Sequence, residues 1–326
     1  VDVARLAGVS RQTVSNVLNG RAAFTPDTKA RVVAAMEQLA YRPNRAAQAM
    51  RSQRTRQLGY HMAGEQLDVV RGFTLRFIQA LVKAAAQEEH HVVVFTHHGD
   101  DPGPVFKDLI ARRGVDAFII DESQVDDPRV RLLAAEGFPF ASFGRTAPDL
   151  PQQWVDVDNV AGMLPLVEHL VGAGHRDFAY AGAAGGEYWK RDRLDGLRLG
   201  LARHGLTVAD SMVFHGSEPE IRERAGRWLR GPRRPTAIVA SSDAVAAVVI
   251  GACAVAGLRV GHDIAVTGFD GGAIGLPTEH ALTSVRIPVA RIAHLLVARC
   301  LEEIDAGPTG RPGVLVPTEL VIGDSA

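Results

Sequence analysis

The first 40 positions hold three short stretches in which apolar residues return at helical spacing. In DVARLA (residues 2–7) the inward set is Val3, Leu6 and Ala7. Gly8 tolerates positive φ and suits a tight turn. Ser10 can then cap a second helix over 11–18, whose Val14, Val17 and Leu18 fall at i, i+3 and i+4. Thr25 followed by Pro26 is a third start, with proline at the first helical position. That helix is predicted to reach about Ala40, with Val32, Val33, Met36 and Leu39 inward. Three short, closely linked helices predict an all-α helix-turn-helix head over 1–43. In the next stretch, YRPNRAAQAMRSQRTRQ, Pro43 stops a helix, Asn44 can cap a new one, and RAAQAM has good helix propensity. Isolated helices shorter than about 12 residues are marginal in water, so residues 44–56 read as a linker that orders conditionally.

From Gln57 the period changes. Apolar runs of strand length alternate with amphipathic helices. The strand candidates are LGYHM (58–62), VVVF (92–95), AFII (117–120), FPFASF (138–143), DFAYAG (177–182), AIVAS (237–241) and IAVTGF (264–269). Between them lie helices such as 73–88, 162–173, 192–203 and 243–256. This alternation predicts α/β architecture with parallel sheets covered on both faces. The length of 57–326 predicts two lobes, and ligands in such sheets bind beyond the carboxyl ends of the strands.

Composition narrows the class. With 46% hydrophobic and 22% charged residues, the 326-residue chain has the make-up of a globular protein. Cys253 and Cys300 are its two cysteines, far apart in apolar helical pattern, and read as reduced core residues. No apolar run approaches the roughly 20 residues that span a bilayer, and VDVARLAG is no signal peptide, so a cytoplasmic protein without a membrane partner is expected. The net charge of −1 conceals a split. Residues 1–56 carry ten Arg and Lys against three carboxylates, a net +7, which leaves −8 on the rest. A basic head on an acidic body is the footprint of a chain whose head alone meets a polyanion.

The outward face of the 11–18 helix offers Arg11, Gln12, Thr13, Ser15 and Asn16 rather than a Glu/Lys mixture. These side chains hydrogen-bond base edges: Gln and Asn pair with adenine, Arg with guanine, Ser and Thr with several partners. DVARLAGVSRQTVSNVLNGR, then TPDTKARVVAAMEQLAYRPNRAAQAMRS, resembles the DNA-binding head of the lactose/galactose-repressor (LacI/GalR) family of bacterial transcription regulators. The resemblance implies that Arg11, Gln12, Thr13 and Ser15 read bases or adjoining phosphates. Asn16 stands where the family usually has Arg, which removes a guanine contact and leaves the operator sequence open. Tyr41 and Asn44 match positions that touch the DNA backbone. Ala47 and Met50 match minor-groove wedge positions, with Met50 where Leu is usual. An apolar wedge from each of two subunits can unstack a central base step; the plainer reading is that Met50 packs a linker.

The body resembles the same family's effector domain, a two-lobed fold like periplasmic sugar-binding proteins, in QLGYHM, RRGVDAFII, WVDVDNVAG, HLVGAGHRDFAYAG, RDRLDGLRLGL, PTAIVASSDAVA, GLRVGHDIAVTGFDG and LTSVRIPVARIAHLLV. The resemblance implies a near lobe of about 57–156 and 287–316 and a far lobe of about 157–286 and 317–326. Arg193, three residues before Gly196, matches the effector-binding arginine; its planar fork suits vicinal hydroxyls or a carboxylate. Asp270 matches an effector-contacting carboxylate. Ser242 occupies the family's usual Asn site, and the neighbouring Asp243 reads equally as a helix cap. Trp189 and Tyr188, in the segment read as a loop leading to Arg193, and Phe73, where the first lobe helix enters, offer flat faces for a sugar or a base. Each reads alternatively as ordinary packing. RGFT (71–74) replaces the family's Asn-Pro-Phe-Phe, and Glu218, in an expected loop, departs from an aromatic position, so the particular sugar stays open.

Other chemistries are poorly supported. His90, His91, His97 and His98 flank a strand and lack a nearby cysteine, so no metal is expected. GAAGGE (182–187) is not the dinucleotide fingerprint and no P-loop occurs, so no cofactor is expected. No nucleophile–base arrangement is visible, and no catalysis is predicted. The reading is a homodimeric repressor that binds a pseudo-palindromic operator under control of a small molecule, a sugar or oligosaccharide inducer. A purine-type corepressor is the alternative, and a sugar-binding protein without a regulatory role the more distant one.

Overall fold

The computed structural model describes residues 2–19, 24–41, 54–62, 72–97, 99, 101–150, 152–271 and 281–326. Residues 1–55 and 56–326 form two compact units.

The head consists of α1 (Asp2–Leu6), α2 (Arg11–Asn19) and α3 (Pro26–Gln38). Ser10 Oγ accepts from Thr13 N at 3.0 Å, and Thr25 Oγ1 from Thr28 N at 3.3 Å, so a hydroxyl satisfies an orphan amide at the start of α2 and of α3. Gly8 takes φ +65° in the turn between α1 and α2. Val3, Ala4, Ala7, Val14, Val32 and Ala35 form the core, with Val9, Val17 and Met36 packed against it. Leu6, Val33 and Leu39, expected inward, are exposed at 45%, 41% and 43%. A three-helix unit this small covers one narrow stripe per helix. Val33 lies a hundred-degree step from the Val32–Ala35–Met36 stripe, and Leu39 is already the residue that caps α3. Asn44, Ala47 and Met50 lie outside the described residues.

The body begins with β1 (Gln57–His61), α4 (Gly72–Gln87), β2 (His91–Phe95), α5 (Gly103–Ala111), β3 (Ala117–Ile120), α6 (Pro128–Glu136), β4 (Phe140–Phe143) and β5 (Trp154–Val157). It continues with α7 (Asn159–Gly172), β6 (Phe178–Ala183), α8 (Tyr188–Arg203), β7 (Val213–Gly216), α9 (Glu218–Arg230), β8 (Ala237–Ala240), α10 (Asp243–Val255), β9 (Ala265–Asp270) and β10 (Thr283–Arg286). The last elements are α11 (Val289–Ala306), β11 (Val314–Val316) and β12 (Glu319–Val321). One sheet, from the residues expected in the near lobe, has the order β11-β5-β4-β3-β1-β2; the other, from those expected in the far lobe, has β12-β10-β9-β8-β6-β7. All described pairs are parallel except β10–β12. That exception departs from the expected all-parallel pattern. The chain passes from one sheet to the other through two residues, Pro317 and Thr318, between β11 and β12.

Buried Val, Ile, Leu and Ala fill the central strands; β3 and β8 are fully buried along their length, as strands covered on both faces must be. Cys253 on α10 and Cys300 on α11 are buried free thiols. No described helix is long and apolar enough to cross a membrane.

Helices α7 and α8 pack closely because α8 has glycine at the crossing. A Cβ at Gly196 would stand 2.8 Å from Val160 O and 2.8 Å from Met163 Cβ. Gly196→Ala is therefore expected to push the helices apart and to destabilise the body by about 1–3 kcal/mol. Urea unfolding of wild type and variant measures this; an unchanged midpoint would contradict it.

Candidate nucleic-acid interface and effector cleft

On α2, Val14 is buried while Arg11 and Gln12 are exposed and Thr13, Ser15 and Asn16 half-buried. The polar set occupies the outer face, and its members are not independent. Gln12 Nε2 donates to Asn16 Oδ1 at 3.0 Å, one helical turn along, and the Thr13 and Ser10 hydroxyls share a hydrogen bond of 2.8 Å. Tyr41, just beyond α3, is exposed, with its amide bonded to Met36 O at 2.8 Å.

In the body, α8 carries the Arg193 side chain inward beneath the ends of β8 and β9. It is 4% exposed. Arg193 Nε donates to Asn159 Oδ1 at 2.9 Å, and Nη1 donates to Ser241 O at 2.6 Å and to Asp270 Oδ1 at 3.3 Å. Its guanidinium lies 3.6 Å from the Phe269 ring centroid and 4.4 Å from that of Trp189, within cation–π reach of both rings. Nη2 has no hydrogen-bond partner among the described residues. Burial lowers the affinity of Arg193 for its proton, an effect that Asp270 opposes. Burial likewise pushes the Asp270 carboxyl up to about 6 against the pull of Arg193 and Arg76. Asp270 also holds φ +116°, in the region that disfavours side chains, a strain of the kind that collects at ligand sites.

The structure thus brings Arg193, Asp270 and Trp189 together. Trp189 and Tyr188 are not in a loop, as expected, but form the first turn of α8. Tyr188 is engaged elsewhere: the guanidinium groups of Arg191 and Arg145 lie 4.9 and 5.6 Å from its ring centroid. Ser242 is the cap of α10, its Oγ accepting from Val245 N at 3.3 Å. Asp243, weighed as a cap, instead accepts from Ser284 Oγ at 2.6 Å and stays buried. Phe73, in the first turn of α4, stacks at 6.0 Å on Phe143 at the end of β4. Glu218 is also not in a loop. It begins α9, which Ser217 and Glu220 cap, and it pairs with Arg222 at 2.7 Å.

Several residues of the cleft carried no signal that single-sequence reading could use. Asn159, which anchors Arg193, lies in the quoted WVDVDNVAG stretch, yet its side chain is unremarkable until α8 arrives from another part of the chain. Arg145 is a single residue beyond β4, Arg76 one within α4, and Phe143 the last of the strand run FPFASF. In the near lobe, Asp121 at the end of β3 accepts from Tyr60 Oη at 2.5 Å, and burial pushes its carboxyl up to about 7.

Residues 1–44 match the family described as bacterial regulatory proteins, lacI family, and residues 167–326 match the periplasmic binding protein-like domain. The HTH-type transcriptional regulator AglR of Rhizobium meliloti (strain 1021) is 31% identical over 318 residues, which cover 93% of this chain and 88% of that one. A solved transcriptional regulator CelR–cellobiose complex is similar at 25% identity and TM-score 0.76, over 100% of this chain and 98% of the other. The lac repressor dimer bound to operator and the anti-inducer ONPF is similar at 26% identity and TM-score 0.81, over 99% and 97%. Head, two-lobed body and this whole-length similarity together place the chain in the lacI family of bacterial regulatory proteins, as a helix-turn-helix transcription regulator.

Proposed function

We propose that this regulator is a cytoplasmic homodimeric repressor whose operator affinity is set by a sugar or oligosaccharide held between the lobes, and that it does not turn the sugar over. The observation that carries the reading is the Arg193–Asp270 pair beside Trp189. A guanidinium and a carboxylate side by side present donors and acceptors at the spacing of vicinal hydroxyls, and an indole face suits the apolar face of a pyranose. The similar CelR structure is a cellobiose complex, and the lac repressor one is a dimer on its operator. In this reading Arg193, Asp270 and Trp189 hold the sugar, Ser242 can donate its hydroxyl proton, and Phe73 closes from the near lobe. Tyr188 orients α8. On the DNA side Arg11, Gln12, Thr13, Ser15 and Asn16 face the major groove. Tyr41 and Asn44 take the backbone, and Ala47 and Met50 enter the minor groove at the centre of a pseudo-palindrome.

A panel of mono- and disaccharides and purines, screened by thermal shift and by release from operator, tests this. A sugar is expected to raise the melting temperature and to be recovered unchanged. A response to purines and to no sugar would overturn it. Affinity for the sugar is also expected to depend on pH. Burial holds the Asp270 carboxyl above the usual carboxylate range, so it takes up a proton as the pH falls from 7 toward 5. Arg193, Arg76 and the amide of Asp243 all favour its charged form. Sugar affinity should therefore fall from pH 7 to pH 5, and Asp270→Asn should flatten the profile. Isothermal titration at the two pH values measures it.

A further inference from the structure

Two arginines of the near lobe reach across to far-lobe residues next to the Arg193–Asp270 pair. Arg76, on α4, donates from Nη2 to Asp270 O at 2.9 Å and from Nη1 to Gly271 O at 3.1 Å. It grips the backbone of the residue whose carboxylate faces Arg193. Arg145, two residues beyond β4, donates to Asp192 on α8, the immediate neighbour of Arg193. Its Nε also donates to Asp156 Oδ2 at 2.9 Å, and Asp156 in turn accepts from Asn159 Nδ2 at 3.4 Å. Asn159 is the residue that holds Arg193 Nε. The polar contacts thus run from a near-lobe arginine to the far-lobe arginine by two routes.

We propose that Arg76 and Arg145 are a closing clasp and act as positioning residues: they hold the lobes together and, in doing so, fix the Arg193–Asp270 pair in its binding geometry. Each crossing contact exists when the lobes are apposed and is broken when they part. None of it needs a ligand atom, so the clasp sets the fraction of bodies with a completed site. A ligand that requires the completed site then binds with an affinity scaled by that fraction. The two arms differ in kind. Arg76 binds neutral carbonyls. Arg145 is 29% exposed and pairs with a carboxylate 13% exposed, so its arm is the one that salt weakens. The inference concerns regulation of the site proposed above and rests on that reading for its ligand.

The full chain tests it, with spin labels at Lys107 of the near lobe and Arg230 of the far lobe and labelled subunits diluted into unlabelled ones. Wild type is expected to give one narrow interlobe distance. Arg76→Gln with Arg145→Gln should broaden and shift that distance, and should weaken binding of the best sugar from the panel by on the order of tenfold. Asp192→Asn should reproduce the part of the Arg145→Gln effect that comes from the crossing ion pair, and the two combined should lose less than their sum, because that contact is shared while the bond from Arg145 to Asp156 is not. A residue that touched the sugar itself would change affinity without changing the distance. An interlobe distance unchanged in the double arginine variant would overturn the clasp. A shifted distance in a protein that binds no sugar would support the clasp while removing the effector reading.

Discussion

Arg193→Ala is expected to abolish the response to sugar and to lower the stability of the body by about 3–5 kcal/mol, because it strands a buried carboxylate. The pair it breaks is 5% and 15% exposed at the side chains. Asn159 Oδ1 and Ser241 O would also lose their donor, and the Phe269 and Trp189 rings their cation. The head makes no use of Arg193, so operator affinity without sugar should remain close to wild type. Arg193→Lys separates folding from recognition. It keeps the charge opposite Asp270 and loses the fork, so it should fold and bind sugar weakly. Thermal melts and sugar titrations of both variants decide the matter; normal induction of Arg193→Ala would place the effector elsewhere.

Gln12→Ala is expected to cost about 1–3 kcal/mol of operator affinity at one symmetric base position and to relax selection there. The hydrogen bond from Gln12 to Asn16 adds a second expectation. Asn16 fixes the amide plane of Gln12, so Asn16→Ala should relax the same position, and the double variant should lose less than the sum of the two. Charge supplies the control. Neither substitution removes a cation, so the steep fall of affinity with salt should keep its slope, whereas Arg11→Ala should reduce that slope by about 1 if Arg11 meets a phosphate. Selection from a random-sequence pool, followed by titration at several salt concentrations, measures all of these. Winners without two-fold symmetry would sink the proposed docking.

The helix caps and the central strands were legible in the sequence because they are local. Ser10, Thr25 and Pro26 act on amides within four residues of themselves, and AFII and AIVA are apolar throughout. The strands at 154–157, 213–216, 283–286, 314–316 and 319–321 were not anticipated. They are three or four residues long, and all but VLV (314–316) mix Asp, His, Ser, Arg or Glu with their apolar positions; their neighbours in the sheet decide them. The start of α8 at Tyr188 was likewise hidden, since YWKRDR shows no apolar stripe and its helix is held by Lys190 and Arg193 turning inward. Arg193 and Asp270 could be singled out through resemblance. Their surroundings could not, because Asn159 and Arg76 are 34 and 194 residues away along the chain from the atoms they meet.

The passage of the chain back from the far sheet to the near one also governs how the protein is made. Helix α11 covers β3 and β4, with Glu303 accepting from Phe140 N at 2.9 Å across 163 residues and Cys300 Sγ donating to Phe118 O at 3.5 Å across 182. Synthesised from its N-terminus, the near lobe displays the apolar face of β3 and β4 while the whole far lobe is being translated. It can close only after residue 306 has emerged from the ribosome. The far lobe, apart from β12, is one continuous stretch and can fold first. Such long-range closure folds slowly and leaves the half-made near lobe as the part of the nascent protein most in need of a chaperone.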